Sequence, residues 1–281
     1  MTAPEIFDRV ARRRRRDRVA ARYPDHSFVR AEMLDGIADR LGAVSRSFTD
    51  VLDLGCFDGA FTAAPGARVA RFDPGFAFAQ AVDGVQGDED RLPFTDGAFD
   101  LVVSAGVLDQ VNDLPGALTL IRRALRPDGL FLGAFLGGSS LSTLRRCLRQ
   151  AEADRPVQRL HPLVDLRSAG DLLMRAGFAL PVADVETLTV RYAGFGRLLD
   201  DLRGMGAGNL LRERTPIARA TLARAAEAFG AAADPDGRTA ERFDLVFLTG
   251  WSPASSQPKP AARGSGRTSL ADALRRFPPT D

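Results

Sequence analysis

Three acidic stations and one glycine turn carry the chemistry open to this sequence. Asp53-Leu-Gly-Cys-Phe-Asp-Gly59 ends a short apolar run. Its glycines let backbone approach a ligand closely, and a helix starting there offers free N–H groups. Asp73 ends the next run, twenty residues on, where a carboxylate can accept both hydroxyl hydrogens of a ribose. Asp88-Glu-Asp-Arg-Leu-Pro-Phe94 follows the short run Val85-Gln-Gly, and a carboxylate there can take an adenine amino hydrogen. Each element alone is weak, since an acid at a strand end is commonly only a helix cap. Their order and spacing line one groove with acceptors for an adenosine. No lysine follows the glycine loop, so a P-loop nucleotide hydrolase is excluded. The dinucleotide pattern Gly-x-Gly-x-x-Gly is also absent, and an adenosine ligand without a pyrophosphate is expected.

The elements that must position these residues alternate regularly. Val51–Gly55, Arg68–Asp73, Phe99–Val107 and Gly129–Phe135 read as strands. Leu114, Leu118, Ile121 and Leu125 recur at helical spacing before an Arg-Pro-Asp-Gly stop at 126–129. This rhythm predicts an α/β fold, a parallel sheet with helices on both faces and ligands outside the strands' carboxyl ends. Phe178–Tyr192 and Phe243–Trp251 add two strands, and the Ala-rich stretch 194–232 between them reads as a helical cap near the ligand edge. The predicted organisation is an N-terminal helical segment at 1–45, a domain at 46–251 and a flexible tail at 252–281. Residues 5–22 read as a helix with Ile6, Phe7, Val10 and Val19 as apolar points and Arg12 to Arg16 crowded between them. That basic face suits a protein partner or open solvent better than nucleic acid.

Composition narrows the class further. With 38 basic and 36 acidic residues in 281, the net charge of +2 argues against a dedicated nucleic-acid binder. Lys259 is the one lysine, a skew that reads as codon bias rather than function. No apolar run approaches a membrane span, the first residues lack the order of a secretion signal, and a cytoplasmic protein, with transient contact at the inner face of the membrane, is expected. Cys56 and Cys147 make neither a disulfide framework nor a four-thiolate zinc site.

The series Asp-Leu-Gly-Cys, Asp73, Asp-Glu-Asp-x-Leu-Pro-Phe, Phe-Asp-Leu-Val and Leu-Arg-Pro-Asp-Gly resembles a class I S-adenosylmethionine-dependent methyltransferase. Within that superfamily the chain resembles the bacterial relatives of mitochondrial complex I assembly factor 5. It carries that family's Ile6-Phe-Asp-Arg opening, Val111-Asn-Asp-Leu-Pro115, Asp201-Leu-Arg-Gly-Met-Gly206 with Asn209, and Gln257-Pro-Lys-Pro260. The biotin-pathway methyltransferase that esterifies a malonyl carrier protein is a more distant cousin. The resemblance implies a Rossmann-like, mostly parallel seven-stranded sheet. It implies S-adenosylmethionine as cofactor, bound by Asp53, Gly55, Cys56, Gly59, Asp73, Asp88, Glu89 and Ser104. It also implies a protein substrate, a quinone-module subunit of NADH:quinone oxidoreductase, acted on by methylation or arginine hydroxylation.

Three departures stand against direct transfer. Phe57 replaces the second glycine of the family's loop, so a bulky side chain stands where backbone should approach the methionine moiety, unless its ring rotates outward. Only Ala60 to Ala67 separate Gly59 from the second strand, too few for the usual helix. Leu108-Asp109-Gln110 stands where the family commonly has Leu-His-Trp. Asp109 is the candidate base by location, or else a cap for the next helix; Tyr192 and His161 are second choices. An iron site of two histidines and a carboxylate is not expected from His26 and His161, which lie far apart in sequence. Three readings follow: a protein-directed transferase of the complex I assembly type, a small-molecule or carrier-protein O-methyltransferase, and an assembly chaperone that has lost catalysis.

Overall fold

The computed structural model describes residues 5–153, 157–257, 265 and 269. Its elements in chain order are α1 (Arg9–Val19), a 3-10 helix (Ala20–His26), α2 (Phe28–Gly42), β1 (Asp50–Leu54), β2 (Arg68–Asp73) and α3 (Phe76–Ala81). β3 (Val85–Gln86), β4 (Phe99–Ala105), α4 (Leu114–Ala124), β5 (Leu125–Gly137) and α5 (Ser142–Ala151) follow. α6 (Leu166–Arg175), β6 (Ala179–Tyr192), α7 (Phe195–Gly204), α8 (Arg219–Gly230) and β7 (Thr239–Trp251) complete the chain.

The strands form one seven-stranded sheet in the order β3-β2-β1-β4-β5-β7-β6. β1 to β5 run parallel, while β7 is antiparallel to both β5 and β6. Every residue of β4 is buried, as expected of a parallel strand covered on both faces. Alternate side chains divide between two cores: Leu52, Leu54, Val102 and Phe131 face one side, Val51, Leu101, Val103 and Leu132 the other. The strand order turns back between β1 and β4, so the crevice at their carboxyl ends is where such a sheet binds ligands.

Local chemistry sets the boundaries. Asp8, Asp113 and Asp165 each accept an N–H at the start of α1, α4 and α6. Asp113, not Asp109, therefore caps the helix after β4. The Arg-Pro-Asp-Gly stop does end α4, but it folds as an irregularity inside β5, with Asp128 at φ 64° and a register shift against β4. No helix forms between Gly59 and β2, matching the short spacing there. The stretch 194–232 contains two helices, α7 and α8, separated by an irregular segment holding Gly206, Gly208 and Pro216. Of the expected tail, Gln257 is tied down, donating to Asp128 Oδ1 and to the Ser252 carbonyl; Lys259 and Pro260 lie outside the described residues.

The N-terminal helix corrects the sequence reading. Ile6 and Val10 are 47% and 56% exposed, whereas Arg12 and Arg16 are buried at 3% and 4%. Arg12 and Arg16 face the protein together with Phe7 and Val19, while Ile6 and Val10 face solvent. For the arginines the reason is an acidic wall waiting for them.

Candidate functional site

Gly55 starts the turn after β1 with φ +77°, and a Cβ there would sit 2.4 Å from a Val107 methyl. Only glycine fits this left-handed, crowded position. Gly55→Ala is expected to cost roughly 2–4 kcal/mol, from the left-handed backbone plus overpacking, measured by urea unfolding. Cys56 beyond it is fully buried; burial, then Asp73 and Asp53, push its thiol up to about 12, so it is inert rather than nucleophilic.

Phe57 is left-handed as well, with φ +48°. Its ring has not rotated outward. It is 4% exposed, stacks on Tyr23 at 4.8 Å and meets Phe78 edge-on at 5.5 Å. The Arg16 guanidinium lies 3.7 Å from its ring centre, within cation–π range, and that of Arg30 lies 4.9 Å away.

The acids of the groove are held by α1. Asp73 Oδ1 accepts from Arg16 Nε at 2.8 Å and from the Gly75 N–H at 2.7 Å. Its Oδ2 accepts from Arg16 Nη2 and from the Phe57 N–H, the latter at 3.0 Å. An ionised carboxylate offers about four acceptor positions, so Asp73 is saturated. Glu89 receives both Arg12 Nη1 and Nη2, at 2.6 and 2.8 Å, in a buried fork. Asp88 Oδ2 takes Arg13 at 2.6 Å, and Asp90 takes Arg9 twice at 2.6 Å. Burial works against the Arg12 charge, yet Glu89 outweighs it and holds its pKa above the ordinary value.

Arg9, Arg12, Arg13 and Arg16 stand at i, i+3, i+4 and i+7, one face of a helix. That spacing was the signal for these contacts. The unbroken run Arg12 to Arg16 hides it, because arginine also occupies the positions between.

The remaining members of the set differ. Asp53 is fully buried, neither of its oxygens has a hydrogen bond among the described residues, and Arg30 Nη2 lies 3.8 Å away. Burial pushes its carboxyl up to about 6, against the pull of Arg30 and Arg71. Ser104 is equally buried, its Oγ without a partner among the described residues. Gly59, at φ +72°, packs where a Cβ would meet Val82 at 2.8 Å.

Asp109 follows β4 on a short 3-10 turn, Leu108–Gln110, and lines two small cavities of about 40 and 30 Å³. These volumes admit a few waters, well short of the roughly 300 Å³ of a small-molecule pocket. Burial raises the Asp109 carboxyl to about 6. His161 lines the smaller cavity, its Nε2 accepting from the Leu210 N–H at 2.7 Å. Burial, with Arg15 next, lowers its pKa to about 4 and keeps the ring neutral. His26 lines the other and pairs with Asp201 at 2.9 Å. Tyr192 is a buried core residue on the opposite face from Asp73's neighbours, packed with Phe195 and Leu198. Among the described residues no group of three His, Cys, Asp or Glu converges as metal ligands.

As folded, these residues do not fit an adenosyl group. Asp73, the carboxylate expected from the sequence to hold a ribose, has its acceptor positions filled. A ligand taking Asp73 would strand Arg16, or else lift a helix whose end, Val19, is part of the core together with Tyr23.

Comparison with known proteins is consistent with the fold. A putative methyltransferase from Bacillus halodurans superposes with TM-score 0.55 at 16% identity, over 79% of this chain and 99% of its own. The mitochondrial arginine-hydroxylase NDUFAF5 of Danio rerio is 33% identical over 95% of this chain and 89% of its own length, and that of Homo sapiens is 35% identical over 95% and 83%. A malonyl-[acyl-carrier protein] O-methyltransferase of Xylella fastidiosa is 29% identical over 89% and 90%. The family described as "Methyltransferase domain" matches residues 26–181. With its Rossmann-like sheet, its glycine turn and these relatives, the chain belongs to the class I methyltransferase family, and it is homologous to NDUFAF5.

Proposed function

We propose that this chain is an assembly factor of the complex I type, which engages a protein subunit of NADH:quinone oxidoreductase by binding and not by methyl transfer. The protein substrate and the complex I setting come from the homology to NDUFAF5. The loss of transfer rests on one observation, the saturation of Asp73 by Arg16 and two backbone N–H groups. In this reading α1 does the work of a ligand: it neutralises the groove's acids, and its Arg16 lies against Phe57 where the family's loop would be bare glycine. No helix among the described residues is long and apolar enough to cross a membrane, so any contact with a membrane-bound assembly is peripheral in this account.

Genetic rescue tests it. In a strain lacking the gene, Asp53→Asn and Asp109→Asn variants that remain folded are expected to restore NADH:quinone oxidoreductase activity as fully as the wild type. A folded variant that fails to restore it would show that these carboxylates do chemistry.

A second reading keeps methyl transfer to a protein or carrier, with α1 withdrawn when cofactor is present. The orphaned oxygens of Asp53 and the Ser104 Oγ favour it, since both are buried acceptors with spare capacity. The carrier-protein alternative draws on the 29% identity to the Xylella enzyme.

A further inference from the structure

Beside the Asp109 cavity, with which it shares Leu160, Ala207 and Asn209, α5, α7, α8 and the segments at 157–160 and 207–217 line a groove that the account so far does not use. Its main hollow holds about 290 Å³, with Leu148, Leu160, Phe195, Leu199, Leu202 and Leu222 among its walls. Two further hollows of about 250 and 210 Å³ share Arg159 with it. The first also shares Leu148 and Leu160, so the apolar floor is continuous.

The rim is arginine. Arg15, Arg159, Arg203 and Arg214 border the main hollow, and Arg145 and Arg149 the adjoining one. Arg159 and Arg214 meet carboxylates, Glu152 and Asp8. Arg15, Arg145, Arg149 and Arg203 meet none among the described residues. Among the described residues Arg145 donates only to the Ser140 and His161 carbonyls, and the buried Arg15 Nη1 has no hydrogen bond. The local potential is accordingly positive. Burial and then neighbouring arginines lower the pKa values of Arg15 and Arg145.

An apolar trough whose rim holds four arginines without a carboxylate partner among the described residues complements one kind of surface: leucine-type side chains flanked by carboxylates. We propose that this groove docks an acidic amphipathic segment of a protein partner, lying in it as a helix with its apolar face inward. The proposal rests on the reading that the chain acts on a protein. The groove borders the Asp109 cavity, so peptide binding is read directly and not through activity.

The probe is a fluorescent synthetic peptide with leucines at i, i+3, i+4 and i+7 and glutamates elsewhere, titrated with the full chain. Saturable binding is expected, weakening as salt is raised. Arg203→Glu and Ile217→Asp both alter exposed positions and leave the core intact. Each is expected to weaken binding about fivefold to tenfold. The same peptide with lysine in place of glutamate is expected not to bind. Equal affinity for the two peptides, or indifference to both substitutions, would overturn the proposal. So would binding to phosphatidylglycerol vesicles that excludes the peptide and is lost in the same variants, which would make the groove a lipid site. Failure of the rescue experiment above with intact peptide binding would instead count against the non-catalytic reading alone.

Discussion

Replacing Arg16 by methionine is expected to destabilise the protein by about 3–5 kcal/mol, the range for breaking one side of a buried ion pair. Both partners are out of water, with side chains 4% and 0% exposed. Methionine keeps much of the packing against Phe57 and Phe78 but leaves Asp73 with only the Phe57 and Gly75 N–H groups. The intact pair itself contributes little net, because the cost of desolvating two ions offsets most of their attraction. The large effect comes from the charge left behind. Adding Asp73→Asn to Arg16→Met should therefore recover a good part of the loss, a coupling of about 2 kcal/mol in a double-mutant cycle. Urea unfolding of the four proteins measures it. A single substitution within about 1 kcal/mol of wild type would mean that the pair behaves like an exposed surface bridge.

Asp53→Asn is expected to have the opposite sign. The Asp53 carboxyl, raised to about 6, holds its proton in the folded protein at pH values where the unfolded chain has lost it. Between about pH 4 and pH 6 the folded state thus binds more protons, and stability falls as pH rises. At about 1.4 kcal/mol per pKa unit the total is roughly 3 kcal/mol. The advantage of Asp53→Asn over wild type should grow from near zero at pH 4 to about that figure above pH 6. Asp109, also near 6, adds a second falling contribution, while His161, lowered to about 4, adds a rising one as the unfolded histidine gives up its proton. Taking the difference between variant and wild type at each pH removes both. A difference that stays flat across this window would show that Asp53 ionises normally.

The sheet was legible because its signals are local. Val51 to Leu54 and Phe99 to Ala105 announce buried strands by composition, and the acids at their ends mark the crevice. Phe57 was legible as a departure, but its consequence was not. That depended on a left-handed backbone and on Tyr23, thirty-four positions away, closing over the ring. The role of α1 was the larger gap. Ordinary polarity rules send arginine outward, and burial of Arg12 and Arg16 becomes tolerable only when Glu89 and Asp73, 77 and 57 positions away, are already in place. The helix and the acids were each visible, and their pairing is a property of the folded chain. In the cap, the sequence reading carried the helical stretch through Gly206, Gly208 and Pro216, which in the structure lie in the irregular segment dividing α7 from α8.

Titrating the purified full chain with S-adenosylmethionine, and separately with its demethylated product, in a calorimeter bears most directly on the closed groove. No saturable heat is expected up to millimolar ligand, because Arg16 fills the acceptor positions of Asp73 and lies against Phe57. The same titration of Arg16→Ala combined with Phe57→Gly, if that protein folds, should show binding appear. One-site binding by the wild type at micromolar affinity, lost in a folded Asp73→Asn variant, would contradict the proposed loss of transfer.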